Sequence, residues 1–419
     1  MTRLNAIIQI LFINYHLNAI SKTHQTMHNV FFLIIIISCF LMSCSKAERQ
    51  KKLEVDCTTI TAKNSDECLR INHIQVLGTH NSYKMKPNKQ LVSMINKTQP
   101  GWAKNIMYEH LPLPQQLEEL QARQFELDVF ADPEGGLYAE PQGAVISNDT
   151  AFLKRPEMVE PGFKILHIQD IDYRSTCLTL TSCLRQIRGW SQKNPKHIPI
   201  MILIEAKNGS IESQNGFEFT EPKLIDSSNI FGIDEEILAV FSRDEIITPD
   251  DVRGEHTTLQ QAILDTGWPT LSESRGKVMF ALDNTGSERD AYLSRSETLK
   301  NRVLFVSYKP GHPSAAFIKM NDAVEDYQRI KKWISEGYMI RTRSDSPLRE
   351  AKEGDTKRRD LALSSGAQFI SSDFLKPAPY PSNYQVTFPN ATTNTSARCN
   401  PVSAPETCSN IVFKNSLQN

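Results

Sequence analysis

The 419-residue chain has no excess of either charge: 47 Lys and Arg stand against 48 Asp and Glu, a formal net charge of −1. That balance excludes bulk attraction to nucleic acid or to an anionic surface, so any membrane contact has to be local. No apolar run reaches the roughly 20 residues that a membrane-spanning helix needs. Cysteine is sparse, at eight residues, and none falls in a CxxC spacing, which removes the usual zinc clusters and thioredoxin-like redox sites. There is no GxSxG elbow, no Ser-His-Asp ordering, no phosphate-binding P-loop and no HExxH pair, so serine-esterase, nucleotide-hydrolase and zinc-peptidase chemistries lack their signatures. No internal repeat is present. With 40% apolar residues the chain can build one large domain or two ordinary ones.

The apolar run that does exist is short. "NVFFLIIIISCFLMSC", Asn29 to Cys44, contains about 13 apolar positions and reads as a secretory h-region. Its end, Leu41-Met42-Ser43-Cys44, resembles the bacterial lipobox, in which the cysteine is lipidated. The expectation is an exported protein, a membrane-anchored lipoprotein through Cys44 or else a secreted or periplasmic one. The remaining cysteines fall into three close pairs, Cys57 with Cys68, Cys177 with Cys183 and Cys399 with Cys408, a spacing that favours local disulfides in an exported chain, although six cysteines allow 15 connectivities. Sequons at Asn96, Asn148, Asn208, Asn390 and Asn394 matter only in a glycosylating host. The expected organisation is a signal segment at 1–44, an extension with a disulfide at 45–71, a catalytic domain at 72–376 and a C-terminal extension at 377–419. From Pro377 onward the Pro, Ser, Thr and Asn content predicts little buried apolar area.

Short β-favouring runs recur between longer amphipathic segments. Strands are predicted at Ile74–Thr79, Phe125–Phe130, Lys164–Gln169, Ile198–Ala206, Lys277–Leu282, Val303–Ser307, Met339–Thr342 and Phe369–Ser372, with helices such as Pro114–Arg123, Leu180–Lys193 and Asp322–Ser335 between several of them. Strands alternating with helices imply parallel pairing, and eight of them point to an α/β fold, a distorted (β/α)8 TIM barrel, ahead of a doubly wound open sheet. The stretch 208–269 reads as an elaborated loop region with a helix.

In a barrel the active site gathers where strands end, so strand-end polar residues are the candidates. The first four predicted strands deliver His80 and Asn81, then Glu126 and Asp128, then His167, then Glu205 and Lys207. Residues two apart on a strand share a face, which turns Glu126 and Asp128 the same way and Glu205 with Lys207. Three carboxylates at one rim repel unless a cation sits among them, and carboxylates with the Asn81 amide oxygen make a set that suits Ca²⁺, with Mg²⁺ the less favoured alternative. Two histidines beside a cation suit general acid–base work on a phosphodiester. Each residue also has a plainer reading: the histidines as hydrogen-bonded structural groups, Glu205 and Lys207 as an ion pair, Glu126 and Asp128 facing solvent at an edge.

"LGTHNSY", "FELDVF", "ILHIQDIDYRS" and "ILIEAK", followed by "ITPDDVRG", "GWPTL", "RGKVMFALD", "AAFIKMND", "IRTRSD" and "SGAQFISSDF", resemble in order the catalytic X domain of phosphoinositide-specific phospholipases C, most closely the calcium-dependent bacterial and fungal group, over about residues 72 to 376. The resemblance implies a distorted (β/α)8 barrel, His80 and His167 as the acid–base pair, and Asn81, Glu126, Asp128 and Glu205 as calcium ligands. It implies cleavage of phosphatidylinositol, a membrane phospholipid, to diacylglycerol and a cyclic or open inositol phosphate, with no nucleic acid as partner. Lys207, Arg341 and Arg343 are candidate substrate contacts; the two arginines could equally neutralise carboxylates or bind Asp345. The second histidine departs from the His-Gly-His-Thr-like context of the larger eukaryotic enzymes, and their accessory modules are absent. The alternatives are a glycerophosphodiester phosphodiesterase or sphingomyelinase D-like enzyme, which typically carry His-Arg-Gly where this chain has His80-Asn81-Ser82, and a non-catalytic, surface-anchored headgroup-binding barrel.

Overall fold

A computed structural model describes residues 55–213, 217–346, 348–389, 395–408 and 411–413. The apolar N-terminal run, Cys44, Asn390 and Asn394 lie outside the described residues. No helix among the described residues is long and apolar enough to cross a membrane.

The strands in chain order are β1 (Ile74–Thr79), β2 (Gln124–Phe130), β3 (Lys164–Ile165), β4 (Ile200–Ala206), β5 (Ile246–Ile247), β6 (Val278–Leu282), β7 (Leu304–Val306), β8 (Phe317–Asp322), β9 (Met339–Arg343), β10 (Phe369–Ser372), β11 (Ala397–Cys399) and β12 (Val412–Phe413). Parallel pairing runs β7-β6-β4-β2-β1-β10-β9-β8, and a single parallel bridge from Ser307 to Phe317 joins β7 to β8. The fold is a distorted (β/α)8 barrel, thin where β7 meets β8. β1 meets β2 at Gly78 and Gln124, and glycine is required there because a Cβ on residue 78 would lie 2.4 Å from the Gln124 Cβ. The wall is fully buried along β1, β2 and β6, as expected of parallel strands covered by helices. The helix Leu180–Lys193 starts on the Thr179 hydroxyl, which accepts from the Ser182 amide at 3.1 Å, and it buries Leu180, Leu184, Ile187 and Trp190.

Several expectations are corrected. Lys164–Gln169 is not a wall strand: only Lys164 and Ile165 are extended, antiparallel to the end of β2, and the chain then turns back on itself through Asp170 at φ 68° with Ile168 bridged to Asp172. The eighth wall strand is instead β8, the "FIKMND" run, which the sequence reading leaves without an element up to Asp322; the helix expected from Asp322 begins only at Tyr327. The region 208–269 holds β5 and helices at Gly232–Val240 and Leu259–Asp265. The C-terminal segment buries Ala378, Tyr384, Val386, Phe388 and Phe413 and pairs β11 antiparallel with β1, so it is part of the core. The three disulfides form as the spacing favoured, Cys57–Cys68, Cys177–Cys183 and Cys399–Cys408. They fit folding in an oxidising compartment and thus export.

Candidate active site

Because β3 leaves the wall, β2 and β4 are direct neighbours, and Asp128 stands opposite Glu205 in register. Glu126 lies two residues before Asp128 on the same face. Carboxylate oxygens of Glu126, Asp128 and Glu205 all lie within 4.8 Å of one another, a geometry able to hold a metal ion. Glu126 and Asp128 are buried, while the Glu205 side chain is 30% exposed.

Two cations partly offset this charge. Arg341 is enclosed and donates to Glu126, Asn321 and Ser371. Lys207 Nζ stands 3.3 Å from Asp128 Oδ2 and 3.5 Å from Glu205 Oε2. Burial alone would lower the Lys207 pKa, but the Asp128 and Glu205 charges outweigh it and hold the ammonium above the usual lysine range. The offset is incomplete. Burial pushes the Glu126 carboxyl up to about 7 against the pull of Arg341, and burial with the neighbouring carboxylates pushes Asp128 well above its ordinary value. Among the described residues no backbone or neutral side-chain donor meets either Asp128 oxygen, and the Lys207 ammonium at 3.3 Å is the group that faces it. Asn81 Nδ2 donates to the Tyr108 hydroxyl at 2.7 Å, which leaves Asn81 Oδ1 buried without a donor. Orphaned buried oxygens beside clustered carboxylates are what a hard oxygen-seeking cation requires.

His80 follows β1 directly. Its Nδ1 pairs with Asp373 Oδ1 at 2.9 Å, and Arg343 Nη1 donates to its Nε2 at 3.2 Å, which defines a neutral ring with the proton on Nδ1. Burial, then Arg343 and Arg341, hold His80 well below the ordinary histidine range. Arg343 also reaches Asp373 Oδ2 at 3.4 Å, and Glu126 Oε1 is 3.5 Å from His80 Nε2. His110 Nε2 donates to the His80 carbonyl at 2.8 Å.

His167 arrives on the turn after β3, not at the end of a wall strand. Its Nδ1 meets Asp172 Oδ2 at 2.8 Å, and Asp172 Oδ1 accepts from Lys84 Nζ at 2.9 Å. Lys84 and Asp172 are fully buried, and Lys84 also donates to the Ile106 carbonyl at 2.8 Å. The same two loops are joined by main-chain bonds, Met85 N to the Arg174 carbonyl and Thr176 N to the Tyr83 carbonyl. The histidine-bearing loops are therefore one unit.

His80, Asn81, Glu126, Asp128, Glu205, Lys207, Arg341 and Arg343 are thus at one end of the barrel. Asp373, Asp172, Lys84 and Tyr108 were not anticipated. Asp373 directly follows the last wall strand and Asp172 lies five residues beyond His167, both within quoted motifs, so position was the available signal.

A family model described as phosphoinositide phospholipase C, Ca2+-dependent, matches residues 69–401. The chain belongs to this family. It is therefore a phospholipase C-type phosphodiesterase of a calcium-dependent family that acts on phosphoinositide lipids, and the Glu126, Asp128 and Glu205 triad can hold the ion. Among solved structures, a calcium-dependent phosphoinositol-specific phospholipase C from Pseudomonas sp. is 17% identical, with 74% of this chain and 92% of that one covered and a TM-score of 0.47. A calcium-dependent phosphatidylinositol-specific enzyme from Streptomyces antibioticus is 16% identical over 73% and 95%, at 0.45. A glycerophosphoryl diester phosphodiesterase from Parabacteroides distasonis is 12% identical over 74% and 85%, at 0.27. No curated protein matches the chain.

Proposed function

We propose that this phospholipase C cleaves the glycerol-side phosphodiester of phosphatidylinositol-type lipids to diacylglycerol and a cyclic or open inositol phosphate, using His80 and His167 as the proton-transfer pair. The observation that carries the reading is that both rings have Nδ1 held by a carboxylate, Asp373 for His80 and Asp172 for His167, which makes Nε2 the proton-transfer atom of each ring, that of His80 once Arg343 turns from it to the substrate phosphate. A neutral His80 suits a base: its Nε2 lone pair can take the proton of the inositol 2-hydroxyl as that oxygen attacks phosphorus. His167 would give a proton to the departing glycerol oxygen.

Asn81, Glu126, Asp128 and Glu205 would hold the calcium ion, which supplies positive charge that lowers the hydroxyl's pKa and stabilises phosphoryl oxygens. Arg343 and Lys207 are the candidate contacts for the phosphate. Arg341, enclosed and already bonded to Glu126, is better suited to setting the carboxylate's position than to touching lipid. The Leu41–Cys44 sequence supports a lipid anchor; palmitate labelling lost on Cys44→Ala would bear it out, and labelling unchanged by that substitution would remove it.

A substrate panel tests the reading. With calcium, phosphatidylinositol should be turned over at least about 10²-fold faster than glycerophosphocholine or sphingomyelin, since a site built for ring hydroxyls rejects a headgroup that leaves its polar groups unpaired. Preferential release of choline from glycerophosphocholine or from sphingomyelin would move the chain to a phosphodiesterase or sphingomyelinase D-like activity, respectively.

A further inference from the structure

Beside the histidine-bearing loops lies a groove of about 420 Å3, walled by Leu91, Met94, Ile95, Trp102, Phe217 and Phe219. That volume is in the range of sites that enclose small molecules, roughly 300–1,000 Å3. Among the described residues no charged side chain lines it, and its only polar side chains are those of Thr98, Gln99 and Gln142, which argues against a charged headgroup or a charged peptide as its occupant. Its walls come from segments after β1, β2, β3 and β4, so it lies at the barrel end where His80, Glu126, His167 and Glu205 emerge.

The groove and the chemistry share one turn. Ile168 and Ile171 line the groove, while their neighbours His167 and Asp172 form the ring–carboxylate pair. The turn is fixed from several sides: the amides of Gln142 and Thr220 donate to the Asp170 carboxylate at 2.8 and 2.6 Å, Gly143 N donates to the Asp170 carbonyl at 2.9 Å, and Gln169 Nε2 donates to the Gly209 carbonyl at 2.9 Å. The groove is therefore preformed and needs no reordering to accept a ligand. Its margin is apolar as well, with Ile146 41% and Val145 53% exposed.

Building on the phospholipase C reading, we infer that this groove receives an acyl chain of the lipid substrate. The diacylglycerol half is the apolar part of such a lipid and is covalently tethered to the reacting phosphorus, so its first methylenes must lie within reach of His167. An uncharged cavity that shares the His167 turn meets that requirement. A bilayer face is the rival occupant, but it is met by protruding side chains rather than by a concave wall.

The test compares kcat/KM for dihexanoyl phosphatidylinositol, below its micellar concentration, with that for glycerophosphoinositol, which has no chains. Met94→Glu and Phe219→Asp should each cut the ratio of the two at least about tenfold, roughly what losing burial of two methylenes gives. An unchanged ratio overturns the proposal, and so does a loss seen with phosphatidylinositol vesicles but not with the monomeric lipid, which would mean bilayer docking. A second readout does not need turnover: the same lipid with brominated chains should quench tryptophan fluorescence, and Trp102→Phe should remove most of that quenching. Quenching without cleavage of either substrate would uphold the groove and sink the phospholipase reading; cleavage without quenching would do the reverse.

Discussion

Replacing Asp172 with Asn should affect stability and catalysis by separable amounts. Asp172 is enclosed, with one oxygen 2.8 Å from His167 Nδ1 and the other 2.9 Å from Lys84 Nζ, itself fully buried. Removing the charge leaves the Lys84 ammonium with carbonyl acceptors but no counter-ion, and breaking a buried pair from one side costs about 3–5 kcal/mol. Burial already pulls the Lys84 pKa down, so release of its proton limits the loss and places it at the lower end of that range. His167 loses the acceptor that fixes its proton on Nδ1, and comparable changes in a histidine–aspartate pair lower the chemical step by up to about 10⁴. Asp172→Asn should therefore lower kcat about 10²- to 10⁴-fold while KM moves much less. Lys84→Met leaves the histidine its acceptor, so it should cost similar stability with a smaller loss of kcat. In the double variant both charges are gone, so urea unfolding should recover about 2 kcal/mol or more relative to the sum of the singles, with kcat still low. Additive unfolding energies would refute the buried pair as the stabilising unit, and an unchanged kcat in Asp172→Asn would refute its role in placing His167.

His80→Ala and His167→Ala should each slow the chemical step by about 10² to 10⁴, read by single-turnover cleavage; unchanged turnover in both would remove the acid–base assignment. Asp128→Asn relieves repulsion with Glu126 and Glu205, so the calcium-free variant should melt no lower than the parent, while the rise in Tm on adding calcium should shrink because that rise scales with RT ln(1 + [Ca²⁺]/Kd). A full calcium shift in that variant would take Asp128 out of the ligand set. His197 is buried, its Nε2 against the Ser191 hydroxyl and its Nδ1 donating to the Ile198 carbonyl, each at 2.7 Å, and burial lowers its pKa to about 4. Between about 6.5 and 4 the unfolded ring binds a proton that the folded one does not, so this contribution, up to about 3 kcal/mol, is present above that window and lost as pH falls through it. Burial and Arg70 act in the same direction on His73, also to about 4. Urea unfolding at pH 7 and pH 5 should show a smaller acid loss in His197→Gln than in the parent; an identical loss would assign the pH dependence elsewhere.

β4 was legible from its apolar run, Ile200 to Ile204, and β2 from its period-two alternation, which also puts Glu126 and Asp128 on one face. "ILHIQ" gave a false strand for the same reason: its alternation satisfies a strand, but positive φ at Asp170 and the backbone bonds to Asp172 turn it into a loop. That error hid the direct register of Asp128 with Glu205. β8 was obscured because Lys319 and Asn321 break its apolar pattern, and both are used inside the barrel, Lys319 on Asp283 at 2.5 Å and Asn321 on Arg341. Asp373 and Lys84 could not be read locally. Each acts on a partner far along the chain, Asp373 on His80 and Lys84 on Asp172, and only barrel closure and loop packing bring those pairs together.

The most direct measurement follows phosphatidylinositol by phosphorus NMR after mixing with the protein in calcium, after chelation, and after calcium is restored. The mechanism predicts a cyclic inositol phosphate that appears with calcium, stops with the chelator and resumes on restoration. Turnover indifferent to chelation, or no cleavage of the lipid under any of the three conditions, would contradict it.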